Sequence, residues 1–321
     1  MNFGFLRGLL ALAGVMVLTA SPVQAQQQYI NVLTGGTSGV YYPLGVALSQ
    51  IYGKAIPAAK ATVQATKASA ENLNLLQAGR GEIGFTLGDA LSDAWKGDEE
   101  AGFKVPLKKL RGVAAIYPNY IQIVASADSG IKTIADLKGK RISLDEPGSG
   151  TLVNAKALLG AYGVTEKDIK PEYLKQQQSS DKFKDGTLDA FFQTTGYPQG
   201  TLTELASTNG FELLAIDGAE AEKLRAQFKF FAADEIPEGT YKGVAGVKTL
   251  SVGAQWVTSA KADADVVYQV TKGLWSDKAR ATLDGGHAKG KAIQKATALL
   301  GLGVPLHPGA EKYYREAGLI K

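Results

Sequence analysis

Two glycine-rich turns hold the residues of this chain best suited to chemistry. The first, Gly35-Gly36-Thr37-Ser38-Gly39-Val40-Tyr41-Tyr42-Pro43, follows the strand-like run 29–34. The second, Asp145-Glu146-Pro147-Gly148-Ser149-Gly150-Thr151, follows Arg141–Leu144. Each lies between a strand pattern and a helix pattern. Such a turn leaves backbone N–H groups free at a helix N-terminus, where they favour a small anion. One turn in each half of the chain implies two lobes closing on one small acidic molecule.

From the first turn the candidate contacts are Gly36, Thr37, Ser38 and Tyr41, with Ser38 equally suited to capping the next helix. Gly148, Ser149, Gly150 and Thr151 are the matching set, two glycines allowing close backbone approach and two hydroxyls adding donors. Ser69 is a further candidate and also reads as an N-cap, with Asn72 at the third helical position. Tyr117 and Tyr120 flank Pro118, where a cleft floor would lie. Gln193, Thr194 and Gly196 follow one short buried strand pattern and Asp89 follows another, at strand ends where open α/β sheets place ligands. Asp89 suits an amino group, closure of the lobes or an N-cap, and Glu146 is a second candidate for an amino group.

Other residue types exclude chemistry. The chain has no cysteine, which removes disulfides, thiolate nucleophiles and cysteine-ligated metals. His287 and His307 are too far apart for a local metal motif. No Gly-x-Ser-x-Gly elbow is present. Neither a cofactor nor a metal is expected. Arg80 and Arg141 fall at the opposite strand ends from the proposed site and Arg111 outside it, so carboxylate recognition is expected from hydroxyls and N–H groups without an arginine clamp. Lys289 and Lys291 beside His287 read as a solvated helix face.

The elements that must position these residues alternate. Strand patterns at 29–34, 61–66 and 83–86 enclose helix patterns at 44–52 and 71–77, as in α/β layers around a largely parallel sheet. Two long β-type stretches, 111–126 and 247–258, exceed an ordinary core strand and read as crossovers, with Pro118 near a hinge. Between them, Arg141–Leu144 is a strand and Thr151–Tyr162 a helix. The pattern at 75–85, helix end, glycine, acid and buried strand, recurs at 183–192.

The N-terminus reads as a signal peptide. Arg7 precedes an apolar run from Gly8 to Thr19, and Val23-Gln24-Ala25 supplies a small-x-small cleavage site. The expected divisions are residues 1–25 as signal peptide, 26–119 as the first part of lobe I, 120–246 as lobe II, and 247–321 as the rest of lobe I. The formal charge of +4 loses Arg7 on cleavage, leaving a mild excess with no basic run, which argues against nucleic acid.

In order along the chain, the pieces 34–45, Ala68-Ser-Ala-Glu-Asn-Leu73, Tyr117-Pro118, 136–143, Pro147–Thr151, 185–192, Gly196-Tyr-Pro198, 236–241 and 305–316 resemble the TAXI class of solute-binding proteins, which serve TRAP transporters. The resemblance implies a type II periplasmic-binding-protein fold, two α/β lobes joined by crossover strands with the ligand between them. It also implies a periplasmic, non-enzymatic receptor. The implied ligand is a small carboxylate such as glutamate, glutamine or 2-oxoglutarate, and the implied partner an ion-gradient-driven TRAP permease. A monomer is the default for a receptor that must dock. Two alternatives stay open: the binding protein of an ATP-driven (ABC) transporter, and an enzyme using the same cleft.

Overall fold

The structure, a computed structural model, describes Met1, residues 28–99 and residues 101–321. The expected signal peptide, with cleavage near Ala25, lies outside the described residues apart from Met1. The first run comprises β1 (Gln28–Leu33), α1 (Tyr41–Ala55), β2 (Ala59–Gln64), α2 (Ser69–Ala78), β3 (Ile83–Leu87) and α3 (Gly88–Lys96). Next come β4 (Leu110–Ala125), β5 (Arg141–Ser143), α4 (Gly150–Ala161), β6 (Lys170–Glu172), α5 (Gln176–Lys184), β7 (Ala190–Thr195) and α6 (Gly200–Thr208). The chain continues through β8 (Glu212–Leu213), α7 (Gly218–Gln227), β9 (Phe231–Ile236) and β10 (Val247–Ser259). It then turns helical, with α8 (Ala264–Leu274), α9 (Asp277–Gly286) and α10 (Pro308–Glu316).

The strands form one sheet in the order β2-β1-β3-β10-β4-β7-β5-β6, with β9 beside β10 and β8 beside β4. On the outer flanks the pairs β1–β2, β1–β3, β5–β6 and β5–β7 are parallel. The centre is antiparallel. β10 runs against β3 with one part of its length and against β9 with another, while β4 joins β10 to β7. The two long strands expected as crossovers therefore form the connection between the halves of the sheet. Pro118 pairs with Gly253 beside a register shift in the β4–β10 ladder. Proline has no N–H to give a ladder, so a break in pairing at this point has a local cause.

α1 begins three residues before the expected helix, because Pro43 in the first turn costs no intrahelical hydrogen bond. Ile30, Val32, Leu48, Phe85, Trp256 and Tyr314 belong to a core on the β1–β3 side. Val124, Phe183, Phe191, Leu202 and Tyr241 belong to one on the β7 side. A third cluster runs across both halves, from Leu73 and Leu87 to Ile121, Ile142 and Leu158. That continuity holds the α2–α3 side against the α4 side.

Candidate ligand cleft

Between the halves lies a cleft of about 440 Å³, lined by both glycine-rich turns. The first is anchored from below. Asn72, fully buried, donates from Nδ2 to the carbonyls of Thr34 (2.7 Å) and Phe85 (2.8 Å), while its Oδ1 accepts from Thr66 Oγ1 (2.7 Å). It is a latch between the ends of β1 and β3 rather than a ligand group. Within the turn, the Gly39 amide donates to the Gly36 carbonyl (2.9 Å). Among the described residues no side chain caps α1, so the capping role open to Ser38 is not taken. The Ser38 carbonyl instead accepts from Gln199 Nε2 across the cleft (2.6 Å).

The second turn is built for contact between the halves. Ser149 caps α4, its Oγ accepting from the Leu152 amide (3.1 Å). The Gly148 carbonyl accepts from the amides of Ala70 (3.1 Å) and Glu71 (3.2 Å), satisfying the N-terminus of α2. Gly150 sits so close to the other half that a Cβ would come within 2.6 Å of Ser69 Oγ and 2.7 Å of Leu87 Cδ1. Ser69 is the first residue of α2 rather than its N-cap, and its Oγ accepts from the Leu87 amide (3.1 Å). Thr151 Oγ1 accepts from the Thr194 amide (3.1 Å).

Of the expected contacts, Gly36, Thr37, Ser38, Tyr41, Ser69, Ser149, Gly150, Thr151 and Thr194 line the cleft. Five do not, each for a physical reason. The Gly148 carbonyl is turned onto α2, as above. Asp89, only 1% exposed, accepts from Asn154 Nδ2 on α4 and lines an adjoining groove that shares Lys67, Glu71 and Ser149 with the cleft. Burial pushes its carboxyl up to about 7. Tyr117 is buried beside Tyr41 in the core. Gln193 pairs with Gln122 in the β4–β7 register and is fully buried. Gly196 is packed against Lys289 and Tyr117, a Cβ there coming within 2.9 Å and 3.2 Å of them.

Asp145 and Glu146 of the second turn and Glu71 also line the cleft, joined by residues outside any motif, among them Thr66, Lys67, Asn119, Lys175 and Gln176. Glu146, which the sequence offers as a partner for an amino group, stands 3.8 Å from Lys67 Nζ. Among the described residues, three buried polar atoms on lining residues have no partner: Asn119 Oδ1, Gln176 Oε1 and Thr194 Oγ1. Asn119 Nδ2 donates to the Tyr41 hydroxyl (2.9 Å), whose own proton burial holds on well above the ordinary phenol value. Burial raises Asp145 to about 7 and also raises Glu146, which Lys175 and Lys67 pull back.

Among the described residues, the non-glycine positions with positive φ are Ala68 (69°) and Asp145 (74°), and both line the cleft. Strain of this kind, of order 1–3 kcal/mol per residue, concentrates at functional sites.

Among the described residues, no arginine lines the cleft. Arg141, at the start of β5, pairs with Asp189 (2.5 Å). The Arg111 guanidinium lies over the Trp95 ring, 5.9 Å from its centroid. His307 caps α10 through Nδ1. Lys289 differs from the solvated face expected of it. It is 9% exposed, with Nζ 3.5 Å from the Tyr197 ring centroid and 4.5 Å from that of Tyr120, and burial lowers its pKa to about 8. Two tyrosine faces replace the water a lysine ordinarily requires.

The family model described as NMT1-like matches residues 32–318, spanning both turns and both long strands. The chain belongs to the NMT1-like family. One curated relative of this NMT1-like protein is an Escherichia coli (strain K12) protein named for binding aliphatic sulfonates. It is 31% identical over 120 residues, 34% of this chain, and the match spans only 37% of the relative's length. Among solved structures, PhnD1 from Prochlorococcus marinus (MIT 9301), in complex with methylphosphonate, superposes with a TM-score of 0.56 at 11% identity. That alignment covers 92% of this chain and all of the other. The periplasmic binding protein BugD gives 0.54 at 12% identity, covering 91% and 98%. These likenesses establish the fold of this NMT1-like chain as the type II periplasmic-binding-protein architecture expected from the sequence. Among the described residues, no helix is long and apolar enough to cross a membrane.

Proposed function

We propose that this protein is a non-enzymatic periplasmic receptor. It captures a small organic anion in the cleft and presents it to a membrane permease. The observation that carries the reading is the cleft itself, where an uncapped α1 N-terminus, Thr37, Lys67 and Lys175 gather donors and positive charge at the junction of two halves. Anions are stabilised at such helix ends by the orphan amides and the aligned peptide dipoles. Residues 26–119 with 247–321 form one lobe and 120–246 the other, closing on the ligand by hinge motion. Residues 1–25 direct export and are removed near Ala25.

The sequence motifs favour a carboxylate and a TRAP permease. The Escherichia coli relative, named for aliphatic sulfonates, favours a sulfonate, and the ATP-driven permease is the better-supported partner. A carboxylate and a sulfonate both present anionic oxygens to N–H and hydroxyl donors, so the same cleft suits either. Nothing in the reading needs a covalent step, since closure and release are reversible and binding shifts the population of closed molecules.

Native mass spectrometry of residues 26–321, followed by denaturation and identification of any released compound, tests the reading. A small organic anion that rebinds after stripping and raises the melting temperature with concentration is the expected result. A neutral or cationic compound in its place would overturn the anion assignment.

A further inference from the structure

The two ends of the cleft differ in chemistry, and Asp145 is the residue that makes them differ. Its φ of 74° is a conformation in which glycine is at ease and other residues are strained. The chain nevertheless places a carboxylate there, 7% exposed, with Oδ1 accepting from the Glu146 amide (2.8 Å). The Ser149 and Thr151 hydroxyls of the same turn act on that carboxyl, opposing the rise in pKa that burial causes. The remaining groups of the turn are also engaged. Ser149 Oγ caps α4, Thr151 Oγ1 accepts from Thr194, and the Gly148 carbonyl faces α2.

Charges of both signs stand beside this turn: Glu146 has Lys67 Nζ 3.8 Å away and Lys175 also acting on it, and Glu71 accepts from the Lys67 amide, so these four are engaged with one another. Asn119 Oδ1, on a residue 1% exposed that bonds Tyr41 beside the first turn, is buried without a partner among the described residues. Thr194 Oγ1, on a residue 8% exposed, is likewise unpartnered. Over the whole lining, three carboxyl groups (Glu71, Asp145, Glu146) face two ammonium groups (Lys67, Lys175), and Asp145, raised to about 7 by burial, carries its full charge only above that pH. A ligand with an anionic group at each end would bring its second charge against the protein's own.

We propose that Asp145 determines specificity by filling the anion site of the second turn with a resident carboxylate. The ligand is then a monoanion whose far end presents a hydrogen-bond donor, a hydroxyl, amide or ammonium, and dianions are rejected. This rests on the reading of the cleft as an anion receptor. It departs from the two symmetric anion sites that the paired turns imply, and it makes repulsion as much a part of selectivity as attraction.

The test is calorimetric titration of wild type, Asp145→Asn and Asp145→Gly with two matched pairs of probes. One pair is 4-hydroxybutanoate and butanedioate, the other 3-hydroxypropane-1-sulfonate and 3-sulfopropanoate. Within each pair only the far group changes, from hydroxymethyl to carboxylate. Asparagine and glycine both tolerate positive φ, so both variants keep the turn, and their melting temperatures verify it. Wild type is expected to bind the hydroxyl member of at least one pair about tenfold or more tighter than the dianion, and both variants to narrow that ratio below about threefold. A dianion that binds wild type as tightly as its partner, or a ratio unchanged in both variants, overturns the role of Asp145 and leaves the receptor reading standing. Failure of all four probes to bind any of the three proteins overturns the receptor reading and the assignment with it.

Discussion

Replacing Gly150 by alanine should separate folding from closure. Gly150 opens α4, and its added methyl would lie 2.6 Å from Ser69 Oγ and 2.7 Å from Leu87 Cδ1, both across the cleft. Carbon contacts relax at about 3.5 Å or beyond, so the halves must part by something under ~1 Å along this line or the side chains must move. Ser69 is not free to move, because its hydroxyl holds the Leu87 amide. Overpacking of this size costs about 1–3 kcal/mol. A hinged protein escapes the cost by opening, so the cost falls on the closed state and the ligand must supply it. Affinity should drop by about 5- to 150-fold, the same energy expressed as a binding ratio. Titration with the best-binding anion measures the affinity, and small-angle scattering with saturating ligand measures closure. Gly160→Ala, on the same helix with nothing within 4 Å of the added methyl, is the control. It should leave binding unchanged and stabilise the fold by up to about 1 kcal/mol. If Gly150→Ala binds and closes like wild type while Gly160→Ala behaves as stated, the Gly150–Ser69 approach is not a closed-state contact.

Three further outcomes are expected. Burial raises Asp89 and Asp145 to about 7, so folding takes up a proton at each between the unfolded value and about 7. Stability from these groups is present at low pH and lost as pH rises through that range, by up to roughly 4 kcal/mol for each. His287 and His307, lowered by burial, act in the opposite sense on the acid side. The readout is therefore the urea-unfolding slope between pH 5 and 8 in wild type minus that in Asp89→Asn, and equal slopes would refute the assignment. Asn72→Leu should cost about 2–5 kcal/mol in denaturant unfolding, because two buried carbonyls lose their donor; a loss below 1 kcal/mol would show that water replaces the amide. Arg141→Ala should leave the affinity for every anion unchanged, and a fall in affinity would contradict recognition without an arginine clamp.

Much of this architecture is legible in the residues, and the exceptions share a cause. The long strands β4 and β10 declare themselves by sustained β-type stretches, and both glycine turns by their place between strand and helix. What the sequence could not disclose depends on how the halves meet. The Gly148 carbonyl and the Asp89 carboxylate read as ligand groups because each lies at the right end of its strand, yet each is spent on the opposite half. In β7 every residue is buried, so no polar alternation tells which of Gln193 and Thr194 faces the cleft. Lys67 and Lys175 enter from chain segments without a motif. Lys289 reads as solvated in the sequence because its aromatic cover comes from residues 120 and 197, far away along the chain.

The route of the chain also sets an order of events during synthesis. β3 is joined to the centre of the sheet only through residues 254–257 of β10, and Phe85 packs edge-on against Trp256 (5.6 Å between ring centroids). The Tyr314 hydroxyl donates to the Val113 carbonyl (2.8 Å) over a separation of 201 residues. Contacts this distant in sequence are costly to close and form late. A polypeptide emerging from its N-terminus therefore makes β1, β2 and β3 long before it makes the strand and helices that secure them. The segment around β5, β6 and β7 has its parallel neighbours within about sixty residues of chain and can settle earlier, by the loop-closure argument. The half made first is the half completed last.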